Sequence, residues 1–371
     1  MTTKCRGTIL PDDREYMDAF ASRAENMRVP LSGSLELTHR CNLNCVHCYL
    51  GPVEKRQAQA AMEMDTARIC SLLDEITEAG CLNLLITGGE PFLRRDFPEI
   101  YRRAKGNGLL VTIFSNGTMV DEETVALFHE LPPLEVEISL YGATAGTYER
   151  VTRVPGSYER CMQGIKGLLQ NGIRVNLKTV LMTLNSHELS DMEKMAAEFG
   201  VRFRFDAAIT PSMDGDAGPL GLRVSPEEAI EKEMSNPETV RKWGAFHERS
   251  KDCRLGPNLY ECGAGGSVFH VDPYGGLMPC MMTTHFRYDM TEGGFMTGWD
   301  SYIPGIKTVR TASDSTCRGC KKINLCSYCP AFFRLENGTE GERSEYLCRM
   351  GGLRFDYISN SVLKGEHRGQ P

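Results

Sequence analysis

From Ser34 to about residue 207, short apolar runs alternate with longer segments whose apolar positions recur at helical spacing. The runs predict the strands Ser34–Leu37, Leu82–Thr87, Leu109–Ser115, Leu134–Leu140, Arg174–Met182 and Arg202–Ala207. The segments between them predict the helices Asp65–Ala79, Asp96–Asn107, Asp121–Leu131, Tyr158–Asn171 and Leu189–Phe199. Such alternation indicates a parallel sheet with right-handed crossovers. Six units are too few for a closed eight-stranded barrel, so the predicted fold is α/β, an open partial barrel.

Chemically distinctive residues follow the first four predicted strands. Cys41 comes after the first strand, and Gly88–Pro91 (Gly-Gly-Glu-Pro) comes after the second. The third strand ends in Ser115–Gly117, and the fourth ends in Ser139–Gly142. Because the carboxyl ends of barrel strands meet at one face, these residues are expected to form one site there.

The stretch after the first strand holds Cys41, Cys45 and Cys48 within eight residues. Three soft sulfur ligands favour an iron-sulfur cluster, although a zinc site or a structural turn stays open on spacing alone. Three cysteines leave one iron of a cubic cluster without a protein ligand. That iron could therefore bind an outside molecule.

These residues resemble the radical S-adenosylmethionine (SAM) superfamily, which has CxxxCxxC after one strand and Gly-Gly-Glu-Pro after the next. The resemblance implies a (β/α)6 core in which the three cysteines hold a [4Fe-4S] cluster that binds SAM. Reductive cleavage of SAM would then supply a 5'-deoxyadenosyl radical that abstracts hydrogen from a substrate, while the protein supplies positioning and shielding.

The resemblance also implies contacts to SAM. The turn Gly88–Pro91 would let the backbone approach the methionine end, and Ser139, Asn116 and Arg160 would hold the ribose or the methionine carboxylate. The predicted cofactor-binding residues are Gly88, Gly89, Glu90, Pro91, Asn116, Ser139 and Arg160. The sequence identifies no catalytic acid or base.

Two positions depart from the family pattern. The residue before the third cysteine, usually aromatic, is His47, and the residue after Ser-Leu, often Asp, is Tyr141. The first departure concerns the packing of adenine, and the second concerns polar contacts near the ribose.

The remaining cysteine-rich region begins at Cys253. It contains Cys253, Cys262, Cys280, Cys317, Cys320, Cys326, Cys329 and Cys348. The pattern CxxCx5CxxC, formed by Cys317, Cys320, Cys326 and Cys329, could by itself be a zinc knuckle. Beside a radical SAM core it resembles the SPASM extension, a module that carries two auxiliary iron-sulfur clusters.

The SPASM pattern implies how these cysteines divide. Cys317, Cys320, Cys326 and Cys348 would hold one cluster, and Cys262, Cys280 and Cys329 the other. We expect Cys253 to be the fourth ligand of the second cluster, the alternative being an iron open to substrate. The implied cofactors are thus SAM and three [4Fe-4S] clusters, one of which binds SAM.

Composition limits the partners and the location. The net charge is -7 without a basic run, which disfavours nucleic acid and anionic membranes. Fifteen cysteines without an apolar signal segment favour metal or redox use over disulfides, and a cytoplasmic location is expected. The electron donor would be a flavodoxin or a ferredoxin-type protein.

Four domains are predicted. They are an N-terminal helical extension (1–33, helix Asp12–Met27), a radical SAM partial barrel (34–215), a helical bridge (216–252) and a small cysteine-rich α+β SPASM domain (253–371) with a helix at Glu345–Val362. The extension is too short for a leader-binding domain, so a separate leader-binding protein is a possible partner. The tail Lys364–Pro371 is expected to be disordered.

The resemblance favours a peptide substrate in which a thioether or carbon-carbon crosslink forms. Phe269–Gly275, which leads into Cys280, resembles the peptide-maturase branch.

Modification of tetrapyrrole side chains is one alternative, and protein oxidation as in sulfatase maturation is another. The second is disfavoured because Met281, rather than Asp, follows Cys280. A non-catalytic electron carrier is disfavoured by the three-cysteine loop.

Overall fold

The computed structural model describes residues 13–312 and 315–363. The strands in this part are β1 Ser32–Glu36, β2 Asn83–Thr87, β3 Leu110–Ser115, β4 Glu135–Ser139, β5 Val175–Val180, β6 Phe203–Asp206, β7 Val268–Val271, β8 Gly276–Met278 and β9 Tyr288–Asp289. The helices are α1 Asp13–Asn26, α2 Val53–Ala58, α3 Thr66–Glu78, α4 Phe97–Gly106, α5 Glu122–Glu130, α6 Ala145–Thr152, α7 Ser157–Gln170, α8 Leu189–Glu198, α9 Pro226–Met234, α10 Pro237–Ser250, α11 Gly294–Thr297, α12 Ile303–Lys307, α13 Pro330–Asn337 and α14 Glu345–Leu363.

One sheet contains all these strands, in the order β6-β5-β4-β3-β2-β1-β7-β8-β9. Strands β1 to β6 are parallel to their neighbours, as the alternation of strands and helices predicts. All six predicted strands are present, with ends within two residues of the predicted ones. The predicted α/β partial barrel is confirmed.

The two faces of the parallel sheet differ in polarity. The outer face carries apolar side chains such as Ile86, Ile113 and Ile138, which are buried together with apolar residues of the covering helices. The side chains on the opposite, concave face alternate with these, and many are charged, including Glu36 and Glu137. Period-two alternation therefore gives the barrel an apolar outside and a polar interior.

The cysteine-rich region continues the same sheet. Strand β7 pairs with β1 in parallel, so that Ser34 is opposite His270, and β8 and β9 extend the sheet in antiparallel fashion. Gly275, with φ of +82°, is in the turn between β7 and β8. The predicted domain boundary at residue 253 stays a prediction, but the second region is joined to the first by strand hydrogen bonds.

The predicted helices are present, and the bridge and the C-terminal helix match α9 and α14. Helices α2, α6, α10, α11, α12 and α13 were not predicted, and all of them except α10 have eight residues or fewer. Asp12 at the predicted start of the first helix and the tail Lys364–Pro371 lie outside the described residues. None of the helices in the described part is both long enough and apolar enough to span a membrane.

Candidate functional site

The loop that carries the first three cysteines is fixed to neighbouring elements by its backbone. The N–H of Asn44 donates to the carbonyl of Thr152 at 3.0 Å, and the N–H of Val46 donates to that of Val151 at 3.0 Å. Both acceptors lie at the end of α6, the helix that follows β4. This short helix therefore holds the cysteine loop across the carboxyl edge of the sheet.

Side chains at the end of β3 hold the other side of this loop. Asn116 Nδ2 donates to Asn42 Oδ1 at 2.9 Å and lies 3.7 Å from Cys41 Sγ, while Asn42 Nδ2 donates to Thr118 Oγ1 at 2.7 Å. The structure thus brings Asn116 to the cysteines. Its contacts are with the loop that would hold a cluster.

The three thiols share one partly buried environment. Burial raises the pKa of Cys41 to about 11, and the charge of Glu90 adds to this. Burial also raises the pKa of Cys45, and the charges of Cys41 and Cys48 contribute to the rise. Three clustered thiols of high pKa are poorly stable as free thiolates, so bound metal is the favourable state for this loop.

A buried arginine that the sequence analysis missed lies beside the thiols. Arg56, on α2, is 2% exposed, and its charge favours the thiolate form of all three cysteines. Its Nη1 donates to the carbonyl of His39 at 3.2 Å, whereas Nε and Nη2 have no hydrogen-bond partner. A buried guanidinium with two unpaired donors needs an anion, and a cluster ligated by three thiolates fits this need.

We expect Arg56→Met to reduce the yield of 5'-deoxyadenosine by about tenfold or more. Loss of a charged partner in a buried site costs about 1.5–3 kcal/mol, which corresponds to at least about tenfold. The yield and the bound iron would be measured after anaerobic reconstitution. Lys55→Met, on the same helix but with a side chain 54% exposed, is the control. Equal yields from both variants would contradict a role for the buried charge.

The two glycines of the Gly-Gly-Glu-Pro turn press against the chain that leads into the cysteine loop. A Cβ on Gly88 would lie 2.2 Å from the carbonyl oxygen of Thr38, and one on Gly89 would lie 2.3 Å from that of Arg40. The N–H of Gly89 donates to Thr38 O at 2.7 Å. The glycines are therefore required for contact between two loops, and a direct approach to SAM stays a prediction.

Glu90 ties this turn to the end of β3. Its buried carboxylate accepts from the N–H of Asn116 at 2.8 Å and from Ser115 Oγ at 3.0 Å. Burial raises the pKa of Glu90 to about 7, although these donors act in the opposite direction. These hydrogen bonds hold Glu90 in place, and the next residue, Pro91, is buried and begins a short helical turn.

The two residues that depart from the family pattern contact each other. The rings of His47 and Tyr141 are edge to face with centroids 4.8 Å apart. Tyr141 bonds to Ser139, and its pKa is well above the ordinary value because of burial and the nearby Cys45. His47 is partly buried, and desolvation of its ring lowers its pKa to about 4. Ser139 is thus linked through Tyr141 to the surroundings of Cys45.

Arg160 is placed differently from the other predicted contacts. It lies in the first turn of α7 and is exposed, with its guanidinium close to Gly156. The structure therefore brings together Gly88–Pro91, Asn116 and Ser139 around the cysteine loop but leaves Arg160 at the surface. A SAM contact from Arg160 stays a prediction.

A buried acid under the cysteine loop was also missed. Glu36, at the end of β1, accepts from Tyr49 Oη at 2.7 Å and contacts His39 Nε2 at 2.8 Å and His270 Nε2 at 3.4 Å. Burial would raise the pKa of Glu36, but the two histidines together hold it well below the ordinary value. His270 belongs to β7, so this network couples the cysteine loop to the second region. The alternation of side chains between the two faces of β1 is the signal in the sequence that could have revealed Glu36.

The C-terminal cysteines form two groups. Burial raises the pKa of Cys326 to about 12, with contributions from the charges of three other thiols: Cys317, Cys320 and Cys348. A Cβ on Gly351 would lie 2.3 Å from Cys326 Cβ, so this glycine allows α14 to bring Cys348 close. Burial raises the pKa of Cys329 to about 11, with contributions from Cys280 and Cys262. Each group contains only cysteines that the sequence assigns to one cluster, and their division between two clusters stays a prediction.

Cys253 is exposed and belongs to neither group by these interactions. The helix that precedes it, α10, is fixed to the loop between Cys320 and Cys326, because Asn324 Nδ2 donates to the carbonyl of Ser250. Cys253 as fourth ligand to Cys262, Cys280 and Cys329 therefore stays a prediction.

The described cysteines form no disulfide bonds. All fourteen of them are free, and among the described residues no three Cys, His, Asp or Glu side chains are close enough to share one metal ion. The ligands of a cubic cluster bind different irons and do not need such close approach.

A parallel partial barrel with a three-cysteine loop at the carboxyl edge of its first strand defines a cofactor-dependent iron-sulfur enzyme. Residues 35–199 match the profile of the Radical SAM superfamily. Residues 35–199 therefore form a radical SAM domain, and members of that superfamily use SAM and a [4Fe-4S] cluster.

Similar proteins cover most of the chain. Mycofactocin maturase MftC of Mycobacterium tuberculosis (strain CDC 1551 / Oshkosh) is 26% identical over 307 residues, 80% of this chain and 77% of the relative. PqqA peptide cyclase of Bradyrhizobium diazoefficiens is 25% identical over 272 residues, 70% of this chain and 68% of the relative. Streptococcus suis SuiB bound to its precursor peptide SuiA has the same fold, with a TM-score of 0.65 and 15% identity over 94% of this chain and 83% of that one.

Proposed function

We propose that this enzyme uses SAM to modify a peptide, forming a thioether or carbon-carbon crosslink in a ribosomally made precursor. The observation that carries the proposal is the three-cysteine loop, braced on three sides and faced by the unpaired charge of Arg56. A [4Fe-4S] cluster held there would supply the 5'-deoxyadenosyl radical that abstracts hydrogen. The peptide substrate is supported by the relatives, because PqqA peptide cyclase is similar over most of its length.

The chain's own residues would position and shield this chemistry. The turn Gly88–Pro91 and Asn116 would fix the cysteine loop, and Ser139 with Tyr141 would border the cofactor. The polar concave face of the sheet would receive the substrate. Tetrapyrrole modification and sulfatase-type protein oxidation have less support from the similar proteins.

The test of function uses anaerobically reconstituted enzyme reduced with dithionite. We expect 5'-deoxyadenosine from SAM even without peptide, and more of it with the correct substrate. Short peptides encoded beside the gene, especially those with cysteine, would be offered in turn. A product that has lost two hydrogen atoms would show the crosslink. Absence of 5'-deoxyadenosine under all conditions would overturn the proposal.

We further propose that the C-terminal cysteines hold two auxiliary clusters of the SPASM type, one of which accepts the electron that the substrate radical must lose. The two thiol groups around Cys326 and Cys329 support this division. A flavodoxin or a ferredoxin-type protein would supply the first electron, and a separate leader-binding protein could deliver the peptide.

Three cubic clusters are expected to give about twelve irons per chain. Cys326→Ala is expected to reduce this to about eight, because it removes a ligand from one auxiliary cluster. Iron and sulfide analysis with electron paramagnetic resonance would measure the change, and Cys70→Ala, on α3, is the control. About four irons in the unmodified enzyme, together with zinc, would refute the auxiliary clusters.

A further inference from the structure

The concave face of the sheet holds a charged cluster that the proposed cofactor site does not use. Lys178 Nζ lies 2.7 Å from the centroid of the Phe114 ring and 3.5 Å from Glu137 Oε2. Arg204 Nη2 lies 2.5 Å from the same Glu137 oxygen, and its guanidinium carbon is 5.9 Å from the Phe114 centroid. Two basic side chains therefore share one carboxylate above an aromatic ring.

The basic side chains exceed the acidic ones in this cluster. The nearest other acid along β4 is Glu135, which is already paired with Arg202 at 3.0 Å and bonded by Asn176 at 2.6 Å. Among the described residues, Glu137 is thus the one carboxylate that pairs with both Lys178 and Arg204. With both bases protonated, an anion that entered here would complete the pairing.

The environment of Lys178 agrees with an incompletely paired site. Burial lowers the pKa of Lys178 to about 7, and Arg204 contributes to the decrease, while Glu137 opposes it only in part. A second carboxylate would raise this pKa, because it would favour the charged amine. Lysines in such environments are frequently found at functional sites.

The position of the cluster connects it to the cofactor site. Lys178 is opposite Ser139 in the pairing of β4 with β5, and Ser139 bonds to Tyr141 beside Cys45. Arg204 belongs to the edge strand β6 and its side chain is 58% exposed. The cluster therefore reaches from the neighbourhood of the cysteines to the open edge of the barrel, where a peptide could enter.

We propose that Lys178 and Arg204 bind a carboxylate of the substrate on the concave face of the sheet, beside the cofactor site. This proposal rests on the proposed function, because it names the peptide as a carboxylate-bearing one. Phe114 forms the floor of the subsite, and Glu137 holds the two basic side chains apart and oriented. The carboxylate would be that of an acidic side chain or of the peptide C-terminus.

The test follows the reaction of Lys178 with a small amine-specific reagent in the anaerobic holoenzyme, read by peptide mass spectrometry. Only a neutral amine reacts, so the rate for Lys178 is expected to rise through about pH 7. The exposed Lys194 is measured in the same digest as the reference. N-acetylglutamate methylamide is the probe, and the glutamine analogue, which lacks the charge, is its control.

We expect N-acetylglutamate methylamide to slow the labelling of Lys178 about threefold or more and to shift its midpoint to higher pH, while the glutamine analogue leaves both unchanged. Arg204→Met is expected to abolish this protection. Arg202→Met, whose side chain is 78% exposed, is expected to keep it. Equal effects of the two probes, or full protection in Arg204→Met, would overturn the subsite.

This measurement does not depend on SAM chemistry. Unmodified enzyme that produces 5'-deoxyadenosine but shows no protection of Lys178 would refute only the carboxylate subsite. Protection without any 5'-deoxyadenosine would leave the subsite in place and refute the proposed function. The two proposals can therefore fail separately.

Discussion

Cys45→Ala is expected to abolish the formation of 5'-deoxyadenosine from SAM, to below about a thousandth of the unmodified level. The loop has three thiols, so removal of one leaves too few ligands to retain a cluster that must also keep an iron free for SAM. The pKa of Cys45 is raised by burial and by the charges of both Cys41 and Cys48. The yield would be measured by liquid chromatography after anaerobic reduction with dithionite.

The iron content distinguishes this effect from general misfolding. Cys45→Ala should lose about four irons and keep those of the C-terminal region, since each cubic cluster contains about four. Cys161→Ala, at a buried cysteine of α7 that belongs neither to the cysteine loop nor to the C-terminal groups, tests the effect of a lost core thiol and should keep its iron. Substantial 5'-deoxyadenosine from Cys45→Ala would refute the assignment of the loop.

Gly88→Ala is expected to reduce both stability and SAM cleavage strongly. The residue has φ of +137°, which L residues rarely adopt, and its added Cβ would lie 2.2 Å from the carbonyl oxygen of Thr38. The conformational strain costs about 1–3 kcal/mol, and relief of the overlap costs about 1–3 kcal/mol more. Because Thr38 leads directly into the cysteine loop, the backbone shift should also reduce the 5'-deoxyadenosine yield by about tenfold or more.

Gly108→Ala is the matched control for Gly88→Ala. Gly108 has φ of +84°, but a Cβ there would meet no atom within 4 Å. Its replacement should therefore cost only the strain of a left-handed conformation, about 1–2 kcal/mol, and should leave SAM cleavage near normal. Denaturant unfolding under anaerobic conditions measures the first quantity. Similar losses of activity in both variants would show that contact with Thr38 is not what matters.

Local patterns in the sequence were sufficient to predict the strands of the parallel sheet and the loop of closely spaced cysteines. The alternation of strand and helix predicted β1 to β6, and the spacing of Cys41, Cys45 and Cys48 predicted a cluster loop. These features depend on residues a few positions apart. Such short-range regularities can be read directly along the chain.

Contacts between segments that are distant in the chain could not be predicted from such local patterns. Arg56 lies in a short helix with no unusual composition, and only the fold shows that it is buried beside the thiols without partners for two of its nitrogens. Lys178, Glu137 and Arg204 likewise come from three strands. Nothing in their spacing along the chain indicates that both basic side chains lie over the ring of Phe114.

By itself, then, the sequence determined the class of fold and the motif of the cofactor loop, because motif spacing and hydrophobic period are local properties. The tertiary structure alone decided that β7 joins β1 and that the Gly-Gly-Glu-Pro turn braces the cysteine loop. It alone also showed how charge is distributed on the concave face. These facts depend on strand register and on burial, which arise only when segments far apart in the chain are packed together.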